Sequence, residues 1–407
     1  MDRREARPVA FGSCNRQDKP QEHWATISSL QPSHWIWTGD AVYAKGNSVE
    51  KLRKAYASLI SNPLYESFEE GVTVDGVWDD HDFGVNDGGK HAPEKEARQR
   101  EYASFIARGR SNFTEYNERL GLYHHLDLSI GGTMARFYFL DTRSQRDNHW
   151  IRSIGEVHMK GSALIASALR VSYTLLGWGQ RHQGNMLGPE QWQHFEDSLR
   201  SSTAEVNVII SSVQVLTTNP VFESWGHFPA EKRRLFQLLQ DVDPKGLTFL
   251  SGDVHLGELS RARFTRSDGS EGEWVEVTSS GLTHTCADGI VNKYLCPFMM
   301  QVFSLHRIPG AVFFGKNFGT IESRPDNVRR AMEFSVRSVE TAAPVLTHTV
   351  LLGQSINGKI VSVDYPSFPV LPVPVQILVL FLIFVASYSI TLLISRRRKE
   401  KNLAKSR

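Results

Sequence analysis

The sequence predicts an α/β fold in which helices cover a largely parallel sheet, followed by one C-terminal transmembrane helix. Six short apolar runs alternate with helical stretches up to residue 253, and each run ends in Cys, Asp, Ser or Thr. Continuous apolar runs of about four residues are typical of strands that are buried on both faces. Alternation of such strands with helices indicates a parallel sheet with helices packed on its faces.

The predicted strands and helices follow one another in a regular order. The strands are predicted within residues 8–14, 34–40, 76–82, 136–142, 206–212 and 247–253. The helices are predicted at 19–30, 48–62, 94–120, 189–201 and 229–241. Gly188-Pro189-Glu190 supports the fourth helix, because proline is favoured at the first helical position and an acidic residue stabilises the first turn. In open parallel sheets the functional site lies beyond the carboxyl ends of the strands.

Beyond residue 255 the sequence indicates strands without intervening helices. Residues 262–281 predict two strands around a Ser-Asp-Gly-Ser turn, and further strands are predicted in 311–323 and 347–365. The dipeptide Asn357-Gly358 predicts a hairpin within the last of these segments. Residues 150–186 are rich in Gly, Ser and His with weak periodicity, and they are predicted to form an irregular insertion near the site.

Composition excludes several classes of protein. Hydrophobic and aromatic contents of 41% and 10% indicate a folded core and not a disordered chain. Residues 396–407 carry seven Lys or Arg and one Glu, so the formal charge of +2 leaves −4 on the rest of the chain. A mildly acidic body does not predict a nucleic-acid-binding surface. Three cysteines exclude a disulfide scaffold, although Cys286 and Cys296 can pair in an oxidising compartment, which leaves Cys14 free.

The C-terminal sequence predicts attachment to a membrane. Residues 375–394 contain no charged side chain, and twenty helical residues span the roughly 30 Å of a bilayer's hydrocarbon core. The predicted organisation is a catalytic domain at 1–365, a proline-rich spacer at 366–374, a transmembrane helix at 375–395 and a basic tail at 396–407. The basic tail favours a cytosolic C-terminus and a lumenal or extracellular body.

The N-terminus complicates this orientation. The first residues contain no apolar signal segment that would carry the body across a membrane. Either the natural chain begins further upstream, or the protein is tail-anchored with a cytosolic body. Asn112-Phe113-Thr114 fits a glycosylation acceptor, which is compatible with a lumenal body but arises often by chance.

Candidate metal ligands follow four of the predicted strands. They are Cys14, the segment 39–43 with Asp40 and Tyr43, the segment 78–86, and the segment 251–255 with Asp253 and His255. Residues 79–82 place three carboxylates and one imidazole at consecutive positions. Carboxylates that are crowded in this way raise one another's pKa unless a cation lies among them. The pattern therefore predicts a metal centre.

The ligand types indicate which metals suit the centre. A thiolate together with a phenolate favours a strongly Lewis-acidic ion such as ferric iron, and the Asp- and Asn-rich remainder suits Ca²⁺, Mg²⁺ or Mn²⁺. Such a centre binds phosphoryl oxygens and lowers the pKa of a bound water. A nearby histidine that protonates the leaving group contributes about 10²–10⁴-fold in rate.

These motifs resemble the alkaline phosphatase D-like (PhoD-like) family of the metallophosphoesterase (calcineurin-like) superfamily. The resemblance covers about residues 8–320 and is carried by 11–15, 39–43, 78–86, 139–143, 252–255 and 317–319. It implies a four-layer α/β/β/α sandwich and the hydrolysis of phosphate esters at a metal cluster.

The resemblance also implies roles for individual residues. Cys14, Asp40 and Tyr43 match ligands of the iron, with Asp40 shared between metals. Asp80, Asp253 and His255 match the remaining ligands, and His81 matches the histidine that assists the leaving group. Asn86 and Arg143 are predicted phosphate contacts, because a guanidinium fits two phosphate oxygens. An arginine at this position equally fits a pairing with a neighbouring aspartate.

Two departures from the superfamily pattern alter the expected metal set. Residues 211–214 read Ser-Ser-Val-Gln where many members carry a histidine ligand, and Ser13-Cys14-Asn15 replaces the opening Asp-x-His motif.

Three functions remain open from the sequence. The first is a membrane-anchored hydrolase of small phosphomonoesters or phosphodiesters. The second is a catalytically silent, metal-containing ectodomain that binds a partner, and the third is a metal-dependent hydrolase of sulfate or carboxylic esters.

Overall fold

The computed structural model describes residues 7–44, 46, 48–108, 119–156, 162–290, 292–325, 330–353 and 358–381. Within them, fourteen strands form two sheets. The strands are β1 (Val9–Gly12), β2 (His34–Thr38), β3 (Thr73–Val77), β4 (His124–Ile130), β5 (Thr133–Leu140), β6 (Val206–Ser211), β7 (Thr248–Ser251), β8 (Gly257–Arg266), β9 (Glu271–Ser279), β10 (Arg307–Phe313), β11 (Asn317–Pro325), β12 (Arg330–Ser338), β13 (Pro344–Leu351) and β14 (Ile360–Val363).

The α-helices of the described chain lie mainly between the parallel strands. They are α1 (His23–Ser28), α2 (Val49–Ile60), α3 (Pro63–Glu70), α4 (Asp80–Phe83), α5 (Lys95–Ile106), α6 (Ser162–Leu175), α7 (Pro189–Arg200), α8 (Pro229–Val242) and α9 (Asn292–Val302). Pro189 opens α7 directly after Gly188, as the sequence predicts. The first half of the predicted helix at 94–120 is confirmed as α5, which ends at Ile106, and residues 109–118, which include Asn112, lie outside the described residues.

The two sheets divide the six predicted strands equally. The first sheet has the order β13-β12-β11-β1-β2-β3, and the second has the order β10-β8-β9-β7-β6-β5-β4 with β14 beside β8. β1, β2 and β3 are parallel, as are β5, β6, β7 and β9, and the remaining pairs are antiparallel. The prediction of one largely parallel sheet is therefore wrong. Antiparallel strands, all of them from the C-terminal half except β4, extend each parallel group and make both sheets mixed.

Alternating side chains of each sheet pack into different cores. Val9 and Phe11 of β1 join a core that contains residues of both sheets, whereas Ala10 between them joins a core with α1, α2, α3 and α5. The outer face of the second sheet packs with α7 and α8. Strands buried on both faces are what the continuous apolar runs predict. The mixed α/β sandwich implied by the family resemblance is confirmed.

Two local predictions in the body are wrong. The segment 150–186, predicted to be irregular, contains the fourteen-residue helix α6, whose apolar residues Leu164 and Ile165 are exposed and so do not mark a buried face. The strands that flank Asn357-Gly358 do not pair with each other as the predicted hairpin requires, since β13 pairs with β12 in the first sheet and β14 pairs with β8 in the second; Asn357 itself lies outside the described residues. The turn dipeptide reports local backbone preference and does not determine which strands pair.

The disulfide and the spacer can be placed. Cys286 and Cys296 form a disulfide, and Cys14 is free and buried. Within the predicted spacer 366–374, the N–H of Leu371 donates to the carbonyl of Leu175, and the ring of Phe368 lies 4.7 Å from that of His227. The spacer therefore packs on the body.

The transmembrane prediction at 375–395 needs correction. Among the described residues, no helix has both the length and the apolar character that crossing a bilayer requires. The helical residues described there are 373–381, roughly 14 Å of helix against the roughly 30 Å of a hydrocarbon core. Residues 382–395 and the basic tail 396–407 lie outside the described residues. This finding contradicts the predicted single-pass membrane localisation, on which the predicted lumenal or extracellular orientation of the body depends, and it does not support the membrane as a partner.

Candidate metal centre

The predicted ligands lie on loops that follow β1, β2, β3 and β7. Four of them have backbone φ angles in the left-handed region: 62° at Cys14, 54° at Asp40, 69° at Asp253 and 57° at His255. Residues other than glycine adopt this conformation at a free-energy cost and do so most often at functional sites. Each loop turns sharply at the strand end, so the side chains from both sheets meet at one place.

Cys14, Asp40, Tyr43 and His255 form the first half of the centre. The Cys14 thiol lies 3.6 Å from Oδ2 of Asp40, and the Tyr43 hydroxyl donates to the same oxygen at 2.7 Å. The hydroxyl also lies 3.2 Å from Nε2 of His255. Ligand atoms of Cys14, Asp40 and His255 all lie within 4.8 Å of one another. Sulfur, nitrogen and oxygen donors therefore surround one position.

Four carboxylates form the second half. One oxygen from each of Asp40, Asp79, Asp80 and Asp253 lies within 4.8 Å of the others, and Asp40 and Asp80 form a further group with His81. Asp40 belongs to both halves of the centre, which is the position expected of a ligand shared between two ions. Asp79 belongs to the acidic segment 78–86, but the sequence motif did not identify it as a metal ligand.

The electrostatics of this cluster favour a bound cation. Burial and then the charges of Asp80 and Asp79 raise the pKa of Asp40 well above its usual value. Burial also raises the pKa of Asp253 well above its usual value, followed by the charges of Asp79 and Asp80. Oδ2 of Asp79 and Oδ1 of Asp80 are buried without a hydrogen-bond partner in the described part of the protein. Metal ions satisfy such oxygens and offset their repulsion, so the residues fit a metal centre.

The stability that is lost on removal of metal is expected to grow as the pH rises. In the metal-depleted protein, burial raises the pKa of Asp79 to about 6 and that of Asp82 to about 7, from 3.8 in an unfolded chain. At these groups the folded state binds more protons than the unfolded state, so their contribution to stability decreases from about pH 4 to beyond pH 7. Buried histidines such as His23 and His348, whose pKa is lowered by burial, act in the opposite direction but equally with and without metal. Urea unfolding should therefore show a stability difference between metal-loaded and metal-depleted protein that is at least about 2 kcal/mol larger at pH 8 than at pH 5. An equal difference at the two pH values would contradict this expectation.

Asp82 holds two of the ligand loops together. Its carboxylate accepts hydrogen bonds from the N–H groups of Ala41 and Val42 at 3.2 and 3.3 Å, next to Asp40. It also accepts from the N–H of Asp79 at 3.1 Å. One buried carboxylate thus fixes the β2 loop relative to the β3 loop. The sequence placed Asp82 in the acidic motif but did not distinguish this bracing contact from metal binding.

His81 lies at the edge of the centre. Its ring packs on Tyr43 with centroids 3.9 Å apart, and its Nε2 lies 3.9 Å from Oδ1 of Asp80. The side chain is 29% exposed, whereas that of Asp80 is 5% exposed. An imidazole beside the carboxylates with an open face is placed to reach a molecule that enters the centre.

Arg143 lies behind the cluster, fully buried. Its guanidinium contacts Oδ1 of Asp79 at 2.6 Å and Oε2 of Glu223 at 2.5 Å. Glu223 also pairs with Arg146 and His149, at 3.2 and 3.0 Å. Burial alone would raise the pKa of Glu223, but the charges of Arg143 and Arg146 outweigh it and hold the pKa well below the usual value. The sequence left two roles open for Arg143, contact with phosphate and pairing with an aspartate. In this structure Arg143 pairs with Asp79.

The remaining predicted residue, Asn86, lies in the loop that directly follows α4. Its side-chain amide lies against Gly155, and the N–H of the next residue, Asp87, donates to Oδ2 of Asp80 at 2.8 Å. Where the superfamily pattern expects a histidine ligand, Ser212 donates to Oδ1 of Asp79 at 2.6 Å. Glu223 lies in no acidic motif and carries no sequence signal that marks it, whereas Ser212 lies in the segment where the superfamily pattern expects a ligand.

Comparison with known proteins connects this geometry to one family. A family model described as PhoD-like phosphatase matches residues 10–295. Alkaline phosphatase D of Bacillus subtilis (strain 168) is 25% identical over an alignment that covers 50% of this chain and 36% of that protein. The chain therefore spans about a third of the length of this curated relative.

Solved structures share the fold. The structure of PhoD matches with a TM-score of 0.54 and 16% identity, over 90% of this chain and 74% of that chain. A purple acid phosphatase, PPD1 of yellow lupin (Lupinus luteus), matches with a TM-score of 0.48 and 12% identity, over 85% of this chain and 53% of that chain. The first likeness supports the α/β sandwich described above.

Proposed function

Because the chain belongs to the PhoD-like phosphatase family, we propose that it is a metal-dependent phosphoesterase that hydrolyses small phosphomonoesters or phosphodiesters. The observation that carries the proposal is the convergence of Asp40, Asp79, Asp80 and Asp253, each with one oxygen within 4.8 Å of the others. Carboxylates packed this closely need cations, and cations at that position attract a phosphate group.

The donor types suggest how the residues divide between ions. Cys14, Tyr43 and His255 would hold a ferric ion together with Asp40, since thiolate and phenolate ligands suit a strongly Lewis-acidic metal. Asp79, Asp80 and Asp253 would hold a divalent ion such as Ca²⁺, Mg²⁺ or Mn²⁺, since hard cations prefer carboxylate oxygens. When bound, these ions supply positive charge for phosphoryl oxygens and lower the pKa of the attacking water.

The chain's own side chains supply orientation and proton transfer. Before metal binds, the Tyr43 hydroxyl donates a hydrogen bond to Asp40 and so orients the carboxylate that both halves share. Arg143 and Ser212 hold Asp79 from behind, both through its Oδ1. His81 is the group we assign as the general acid, because it borders the carboxylates and keeps an exposed face. Its proton would pass to the departing alkoxide oxygen.

The proposal is tested by assaying the purified protein against matched esters of one alcohol. We expect hydrolysis of phosphate esters, loss of the activity after chelation, and recovery when metal ions are returned. Sulfate and carboxylic esters of the same alcohol form the comparison arm. Greater activity on these esters would transfer the assignment to a different hydrolase. Metal binding without turnover of any ester would favour the catalytically silent alternative and contradict the proposal.

A further inference from the structure

A second site candidate lies at the N-terminal end of α8, apart from the carboxylate cluster. A cavity of about 290 Å³ is lined there by Tyr173, His227, Pro229, Lys232, Tyr365 and Phe368, among others. None of its lining residues belongs to the acidic groups of the metal centre. His149 and Glu223 lie between the two, since His149 contacts both His227 and Glu223.

Lys232 is the unusual residue of this cavity. It is 1% exposed, and its Nζ has no hydrogen-bond partner within the residues that the structure describes. The ammonium lies 5.7 Å from the ring centroid of Tyr365 and 6.0 Å from that of Phe236. A buried ammonium without a hydrogen-bond partner is costly, because ring contacts replace only part of the hydration that it loses. Burial accordingly lowers the pKa of Lys232 to about 7.

Glu276, the carboxylate whose charge acts on Lys232, already accepts hydrogen bonds from other groups. The charge of Glu276 acts to raise the pKa of Lys232, but its two oxygens accept the N–H groups of Val215 and Leu216, both at 2.7 Å. These hydrogen bonds reduce its capacity to satisfy the ammonium. When protonated, the lysine therefore still lacks a hydrogen-bonded anionic partner in the described part of the chain.

The rest of the cavity is suited to a small molecule with an apolar part. Tyr173, Pro229, Tyr365 and Phe368 supply aromatic and proline walls. The Tyr365 hydroxyl is buried and, in the described part of the chain, also lacks a hydrogen-bond partner. His227 is a wall and not a ligand group, because its Nδ1 lies 3.0 Å from the Tyr173 hydroxyl and its Nε2 3.0 Å from the carbonyl of Phe222.

A second cation also favours a negative charge at this place, because Arg233 lines the cavity together with Lys232. A volume of about 290 Å³ equals that of roughly ten water molecules, which accommodates a ring or short chain that bears one acidic group.

We propose that this cavity binds a small organic anion, a carboxylate or phosphate group on a compact apolar body, with the charge paired to Lys232 and the body between Tyr173 and Phe368. The site is independent of the phosphoesterase reaction and goes beyond it. Its ligand is recognised by one negative charge and one apolar face.

Calorimetric titration of the full chain tests the proposal with four probes. Benzoate represents the carboxylates and phenylphosphonate the phosphate class, inorganic phosphate lacks the apolar body, and benzamide is the neutral isostere of benzoate. We expect saturable binding of benzoate or phenylphosphonate and at least about tenfold weaker binding of benzamide. This comparison needs no variant. Equal binding of benzoate and benzamide, or no binding of either organic anion, would overturn the proposal.

Lys232→Met provides the second readout, with Lys245→Met at an exposed position as its control. The Lys232 variant should lose at least about tenfold in affinity for the organic anion, whereas the Lys245 variant should not. Phenylphosphonate that binds at the metal centre adds the same signal to the titrations of the natural protein and of both variants, provided that the three proteins carry the same amount of metal. Without ligand, Lys232→Met should unfold at a higher temperature than the natural protein, because the buried ammonium is gone. Unchanged affinity in Lys232→Met would contradict the assignment of Lys232.

Discussion

Replacing Asp40 with asparagine is expected to lower phosphate-ester hydrolysis by at least about 10³-fold and to release most of the bound metal. Asp40 is the residue that both halves of the centre share, and its two oxygens have separate contacts. Oδ2 accepts from Tyr43, and Oδ1 accepts from the N–H of His81 at 3.3 Å. Asparagine keeps the shape but removes the charge and one acceptor, so the shared ligand position is lost.

The same substitution should have the opposite effect on stability once metal is absent. Burial and the neighbouring carboxylates raise the pKa of Asp40 well above its usual value, so an uncharged amide removes repulsion in the metal-depleted protein. We therefore expect Asp40→Asn to unfold at a higher temperature than the metal-depleted natural protein at pH 8. Elemental analysis, ester hydrolysis and thermal unfolding of one preparation measure the three effects together.

Asp241→Asn is the matched control for Asp40→Asn, because Asp241 is exposed at the end of α8 and belongs to none of the metal-binding groups among the described residues. It should change neither metal content nor activity. Full activity of Asp40→Asn with unchanged metal content would show that the carboxylate cluster is not the reaction site.

Replacing His81 with alanine is expected to lower hydrolysis of alkyl phosphate esters by about 10²–10⁴-fold while metal content is retained. A poor leaving group such as an alkoxide needs a proton as its bond to phosphorus breaks. A 4-nitrophenolate leaves without that help, so the loss for 4-nitrophenyl phosphate should be much smaller. The comparison of the two esters therefore separates proton donation from a structural role.

The control for His81→Ala is His91→Ala at an exposed position, which should hydrolyse both esters at the natural rate. Equal losses on the alkyl and nitrophenyl esters would assign His81 to metal binding or loop structure. The packing of His81 on Tyr43 makes this a real alternative, because alanine removes that contact as well. Metal content decides between these two roles.

The bracing of the centre depends on residues whose importance is visible only in three dimensions. Asp82 occupies the same acidic motif as Asp80, yet its oxygens accept backbone N–H groups from two loops. Glu223 lies in a segment with no acidic cluster, yet it contacts Arg143, Arg146 and His149 at once. A sequence records which residues are acidic, but the partners of an acid are set by how distant segments pack.

The sequence by itself determined the strands, most of the helices and the ligand loops, because these depend on local patterns. Apolar runs buried on both faces identify strands such as β1 and β6. Polar residues at the ends of β1 and β2 identify Cys14 and Asp40 as neighbours, since parallel strands end at one edge of a sheet, whereas Asp253 follows a strand of the other sheet and reaches Asp40 only through the packing of the two sheets.

Only the tertiary structure decided which strands share a sheet, what Arg143 contacts and where Lys232 lies. β13 and β14 are separated by a few residues yet join different sheets, because pairing depends on the edges that the rest of the fold leaves available. Arg143 pairs with Asp79 and Glu223 because burial excludes water as an alternative partner. Lys232 looks in the sequence like an ordinary helix lysine, and only the packing of Tyr365 and Phe236 around it creates a buried charge. Local backbone preferences depend on neighbouring residues in the sequence, whereas the burial of a side chain depends on how distant segments pack.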